Sequence, residues 1–287
     1  MTILSYDFMQ RALLAAVLVG LAAPAVGTFL VQRRLALMGD GIGHVALTGV
    51  ALGFLLDVAP LITAVFAAIA GAVTIEMIRS RGRTGGDVAL ALLFYGGIAG
   101  GVLLIGMSGG TSGTLLSYLF GSLTSVSPGD LVVIAVLAGA VLVLLAGFGR
   151  EMFAVCHDEE YARASGLPVR ALTLMLAATA AVTVTVAMRV VGLLLVSALM
   201  VVPVATAQQL TRSFRTTLAA SLALGVAVSV AGAVMAFEVD VAPGASIVVL
   251  ALGGFALAVG MRAVLRRRRS RGPSHPDDEP AAPVIEP

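Results

Sequence analysis

Apolar residues run along this chain in blocks of about twenty. Arginines, acids or short turns with Gly and Pro break them at regular intervals. A helix rises 1.5 Å per residue, so about twenty apolar residues cross a hydrocarbon core about 30 Å thick. Nine blocks qualify, at 8–31, 35–56, 59–78, 88–107, 130–148, 171–188, 190–210, 217–237 and 244–265. The pattern predicts an all-α, polytopic membrane domain over residues 1–265. The first block contains Pro24 and ends in arginine, so it reads as a span and not as a cleaved leader.

The polar positions order these spans. The chain has no lysine, and all 18 basic residues are arginine. With the N-terminus outside, the inner connections hold Arg33 and Arg34; Arg79, Arg81 and Arg83; Arg150, Arg163 and Arg170; Arg212 and Arg215; and Arg262, Arg266 to Arg269 and Arg271. Only Arg11 and Arg189 fall outside. Such a bias fixes topology by the positive-inside rule and puts the C-terminus in the cytoplasm. One outer connection, 108–130, is long and rich in Gly, Ser and Thr; its apolar part, 115–123, is too short to span. That part either dips into the outer half or lies at the interface, where Tyr118 and Phe120 fit. Residues 266–287 read as a basic stretch held against anionic headgroups, then a Pro-rich, disordered tail.

Composition narrows the class. The chain is 59% hydrophobic and 12% charged, which excludes a soluble domain. Its single cysteine, Cys156, excludes a disulfide framework within one chain. It carries no GxxxxGK[ST] loop, so it is not expected to be an enzyme that hydrolyses ATP alone.

Chemistry concentrates in the second block, at MGDGIGHVALTGVALG. Asp40 and His44 share a helix face at i,i+4 spacing. Counted from the arginine pair, His44 lies roughly 13 Å inside the hydrocarbon. An ionisable pair at that depth marks a substrate path, or else a buried Asp–His contact that stabilises packing. A carboxylate and an imidazole suit borderline divalent ions. Glu238 and Asp240 form either an acidic outer vestibule or an ordinary polar loop. Arg189 could pair with one of them or with a carboxylate on a partner protein outside, or snorkel to the interface. Gly96 and Gly100, interleaved with Gly97 and Gly101, make a close-packing face, and Pro203 interrupts the backbone bonding of the seventh span. Glu76 and Asp87 sit at span ends, where an acid is unremarkable. In the inner connection, Asp158 caps a short helix over 159–165; Glu159 and Glu160 favour its start and Gly166 and Pro168 end it.

Five stretches in this order, GDGIGHVALTGVALG, LFGSLTSVS, HDEEYARASGLPV, MRVVGLLLVSALMVVPVATA and VDVAPGASIVVL, resemble the permease subunits of the zinc/manganese family of ABC importers. The resemblance covers most of 33–265. It implies a fold similar to the vitamin B12-type importer permeases and a homodimer in a bacterial plasma membrane. It also implies a cytosolic ABC ATPase on each copy and an extracytoplasmic metal-binding protein; no nucleic acid is involved. Asp158, Glu159, Glu160, Ala162, Gly166, Leu167 and Pro168 would then form the ATPase-coupling element, within the loop 149–170. Asp40 and His44, with Asp240 and Glu238 further out, would meet a transported zinc or manganese ion, with no cofactor held permanently. His157 departs from the family's aromatic or apolar residue and reads as a neutral substitution. Two rivals remain: an ABC permease for a siderophore- or cobalamin-type cargo, and a secondary transporter in which Asp40 and His44 relay protons.

Overall fold

The computed structural model describes residues 6–80, 86–108, 112–122, 124 and 126–269, and among them every regular element is a helix. In chain order these are α1 (Asp7–Gln32), α2 (Met38–Leu55), α3 (Pro60–Ser80), α4 (Gly86–Met107), α5 (Ser112–Phe120), α6 (Pro128–His157), α7 (Glu159–Ala164), α8 (Val169–Met188), α9 (Leu193–Leu210), α10 (Phe214–Val239) and α11 (Pro243–Arg269). Nine of them, all but α5 and α7, are long and apolar enough to cross a membrane. They coincide with the nine predicted blocks.

Contacts at the two ends show the alternation. Phe29, Phe153 and Phe214 bring together the end of α1, the end of α6 and the start of α10. At the same end Arg262 of α11 donates to Gln209 of α9. At the other end Tyr6, Phe8 and Phe237 join the start of α1 to the end of α10. The first of these ends is the arginine-rich one.

Burial ranks the helices. Of the apolar span, 72% is buried in α1 and α8 and 67% in α2, against 17% in α4 and 22% in α6 and α11. The central helices hold that position through small residues. Gly20 of α1 meets the α10 backbone at Gly225, and a Cβ on Gly27 would strike the Met200 carbonyl of α9. Such contacts let backbones approach and gain dispersion energy that lipid cannot supply. Pro203 is buried inside α9, which continues without interruption to Leu210.

Several boundaries differ from the sequence reading by three residues or more: α9 starts at Leu193 instead of 190 and α10 at Phe214 instead of 217, and α2, α6 and α11 differ as follows. α2 starts at Met38 instead of 35, because the turn that ends α1 takes up the intervening residues. α6 continues to His157, nine residues past 148. Gly149 and Arg150 do not stop it, because Met152 and Val155 bury beyond them. α11 runs on to Arg269, past the expected end of the span at 265; residues 270–287 lie outside the described residues. α5 neither spans nor floats. Gly121 and Gly192, both at positive φ, let its end abut the α8–α9 link, and Tyr118 is buried while Phe120 is 38% exposed.

Candidate functional site

The site begins at the end of α1. Arg33 caps that helix, Arg34 N–H donates to the Val31 carbonyl (3.1 Å) and Leu35 N–H to the Leu30 carbonyl (2.8 Å). This is a Schellman turn whose left-handed position, φ 58°, is filled by Arg34 and not by the usual glycine. The length of the turn sets the depth of the first residues of α2. Asp40 becomes the third residue of that helix, and His44 lies one turn on. By helical rise they lie about 3 Å and 9 Å past the helix start, nearer the arginine-rich end than counting from Arg34 suggests. A carboxylate in the first turn meets free N–H groups and the positive end of the helix dipole.

His44 is 7% exposed, and its ring stands edge-on to Phe94 of α4 at 4.3 Å between centroids. Its Nδ1 is buried and has no hydrogen-bond partner among the described residues. No hydrogen bond joins it to Asp40, so the bonded packing pair that the sequence left open is not formed. Asp40 itself is half-buried.

Glycines press α2 between its neighbours. A Cβ on Gly97 of α4 would come within 2.7 Å of the His44 carbonyl carbon, and Thr48 Oγ1 donates to the Gly97 carbonyl (2.8 Å). Gly101 packs on Leu47, and Gly100 touches Thr48. Gly96 meets nothing within 4 Å, so within this chain the tight contacts are those of Gly97 and Gly101, with Gly100 in ordinary contact. On the other side a Cβ on Gly39 would approach Ser197 Oγ of α9 to 2.9 Å. That hydroxyl is buried and has no hydrogen-bond partner among the described residues. Thr28, Thr183, Thr185 and Thr206, by contrast, donate to the carbonyl four residues back. Ser197 was not legible as a site residue. The available signal was a serine inside VSALM, and only the fold sets it against the glycine beside Asp40.

The other predicted acids lie elsewhere. Glu238 and Asp240 are exposed at the far end of α10, where Asp240 is the C-cap at φ 55°. Arg189 does not pair with them. It donates to Asp130 Oδ2 (2.6 Å) and to the Tyr118 hydroxyl (3.0 Å), because α8 ends beside the start of α6 and under α5. Burial pushes the Tyr118 phenol above its ordinary range, and its hydroxyl oxygen accepts the hydrogen bond from the guanidinium. Among the described residues no three His, Cys, Asp or Glu side chains converge.

At the arginine-rich end, Asp158 Oδ1 accepts from Tyr161 N–H (2.9 Å) and starts α7. Gly166, at φ 80°, and Leu167 close it with bonds to the Arg163 and Ala162 carbonyls. Pro168 then caps α8. Ala162 is fully buried, while Glu159, Glu160 and Tyr161 face outward. An open cleft of about 1170 Å³ runs beside α7, lined by Glu76, Arg79, Glu159, Arg163, Pro168 and Arg170 among others. Glu76 is paired with Arg79 (3.0 Å), and the Asp87 side chain lies outside the described residues. His157 stacks on Phe153, away from the α2 site.

Residues 5–262 match the model of the ABC 3 transport family. The chain belongs to that family. A manganese transport system membrane protein, MntC of Halalkalibacterium halodurans, is 35% identical over 256 residues, spanning 89% of this chain and 88% of that one. A probable iron transport system membrane protein of Haemophilus influenzae is 31% identical, over 89% of this chain and 94% of its own length. Among solved structures, PsaBC from Streptococcus pneumoniae in complex with Fab superposes with a TM-score of 0.81 at 32% identity, covering 89% of this chain and 92% of that one. This ABC 3 family member is therefore a multi-pass permease of the bacterial plasma membrane.

Proposed function

We propose that the chain is the membrane-spanning subunit of an ATP-driven importer for a divalent transition-metal ion, with manganese favoured over zinc. The observation that carries this reading is the buried, unpartnered imidazole of His44, one turn above Asp40 on a helix walled by glycine. A buried polar nitrogen without a partner is costly unless something visits it. An imported ion meets that nitrogen first and the Asp40 carboxylate one turn later, and the Ser197 hydroxyl borders the same turn. Carboxylate, imidazole and hydroxyl together suit manganese, ferrous iron and zinc, and hard oxygen donors lean toward manganese. The names of the relatives lean the same way. Few ligands per chain suit a transit site, which must release its ion. A second copy would complete the shell around a shared axis.

In this reading the arginine-rich end faces the cytoplasm and the N-terminus lies outside. α7 docks a separate ABC ATPase, and the chain itself hydrolyses nothing. A metal-binding protein delivers the ion at the opposite end, near Glu238 and Asp240. The test is ATP-dependent uptake of manganese and of zinc in proteoliposomes holding the chain with its cognate ATPase and binding protein. Asp40→Ala and His44→Ala are each expected to lower uptake at least tenfold while the complex still assembles. Normal transport by both variants would overturn the assignment of the path to α2.

A further inference from the structure

The structure places one charged residue between the arginine-rich face and the metal path. The Arg33 side chain is 7% exposed. Its Nη2 donates to Glu159 Oε2 of α7 (2.8 Å), and its Nη1 donates to Thr173 Oγ1 of α8 (2.9 Å). Glu159 also accepts from Arg163 on its other oxygen (3.0 Å), an exposed i,i+4 pair that orients the carboxylate within α7. Thr173 is fixed in turn by its own bond to the Val169 carbonyl (2.9 Å). One guanidinium thus bolts α7 and α8 to the end of α1.

The neighbouring turn gives the bolt a use. Arg33 is the C-cap of α1, and residues 34–37 are all that separate it from α2. The connection has little slack. It contains no glycine, and both Schellman bonds are made. Arg34 sits in the left-handed region, which non-glycine residues adopt only when the surroundings hold them there. The N-cap of α2, Leu37, has no side-chain capping bond, so the start of α2 has no local anchor of that kind. A displacement of α7 is passed by Glu159 to Arg33, and through a short stiff turn to the residues that carry Asp40.

We propose that Arg33 is a positioning residue that transmits movement of α7 to the first turn of α2, and so ties ATP hydrolysis to the opening of the metal path. This rests on α7 being the ATPase-docking element. A buried charge is the right chemistry for such a link. A guanidinium with two fixed acceptors resists rotation, and its burial penalises any state in which the contacts part.

The measurement is the number of manganese ions imported per ATP hydrolysed, in proteoliposomes of the full complex, with assembly checked by co-purification. Arg33→Met keeps the length and removes the charge. It is expected to assemble, to hydrolyse ATP, and to import at least tenfold fewer ions per ATP. Arg33→Lys keeps a buried cation that cannot serve both acceptors in the same plane, and its ratio should fall between the two. Thr173→Val removes one acceptor only and should lower the ratio severalfold. A purely structural role would lower assembly or melting temperature and leave the ratio of the assembled fraction unchanged. Wild-type ratios in the assembled Met or Lys variants would overturn the proposal, as would a wild-type ratio in Thr173→Val if Arg33→Met fails to assemble. Absence of ATP-driven uptake by the wild-type complex would instead overturn the importer reading itself.

Discussion

Single atoms carry most of the functional argument. His44 Nδ1 and Ser197 Oγ are both buried and unpartnered among the described residues, and both flank the turn that holds Asp40. In the proposed path the hydroxyl would be the weaker ligand, so its removal should spare the fold and weaken manganese binding. In Ser197→Ala the half-saturating manganese concentration is expected to rise about threefold to tenfold, roughly 0.6–1.4 kcal/mol of lost interaction. Zinc uptake, which depends less on a hard oxygen, should change less. Competition assays between the two ions read this directly. Asp40 and His44 were legible as candidates because an ionisable pair inside an apolar block is conspicuous. Ser197 was not, since one serine in a membrane helix ordinarily satisfies itself by back-bonding. Arg189 was visible as an outlier, but its partner Asp130 is 59 positions away and only packing brings the two together.

At the level of elements, hydropathy located every span, because lipid leaves the backbone no alternative to the helix. The ends were less legible. The Schellman turn at Arg34 has no glycine to announce it, and α6 outlasts its apolar block because the stretch beyond Arg150 buries against protein. The helix α7 was readable to within one residue, 159–164 against the expected 159–165, since capping chemistry is local: an Asp before it, a Gly after it, then Pro. The glycine face of α4 was legible as two interleaved pairs, and only packing tells their members apart. Gly97, and not Gly96, meets the backbone at His44. Gly97→Val should therefore cost about 1–3 kcal/mol in stability by overpacking and lower uptake with it. Gly96→Val should leave the monomer fold intact. A melting comparison of the two variants in detergent tests the assignment, and an equal loss in both would refute it.

For the whole molecule, central and outer helices divide the work. α1, α2 and α8 are held by tight contacts among small residues, while α4, α6 and α11 turn most of their length outward to lipid or to another chain. The length of α6 has its own consequence. Thirty residues make a rod of about 45 Å, some 15 Å more than a hydrocarbon core requires. The surplus lies at the arginine-rich end, beyond Phe148, and α7 sits on its tip. It works as a stalk that holds α7 against the ends of α1 and α8, so protein contacts and not membrane thickness set the height of α7. Lengthening the acyl chains of the host bilayer by two to four carbons should leave ATPase attachment unchanged. Shortening the stalk by one helical turn, through deletion of residues 146–149, should rotate and lower α7 and abolish attachment in any bilayer.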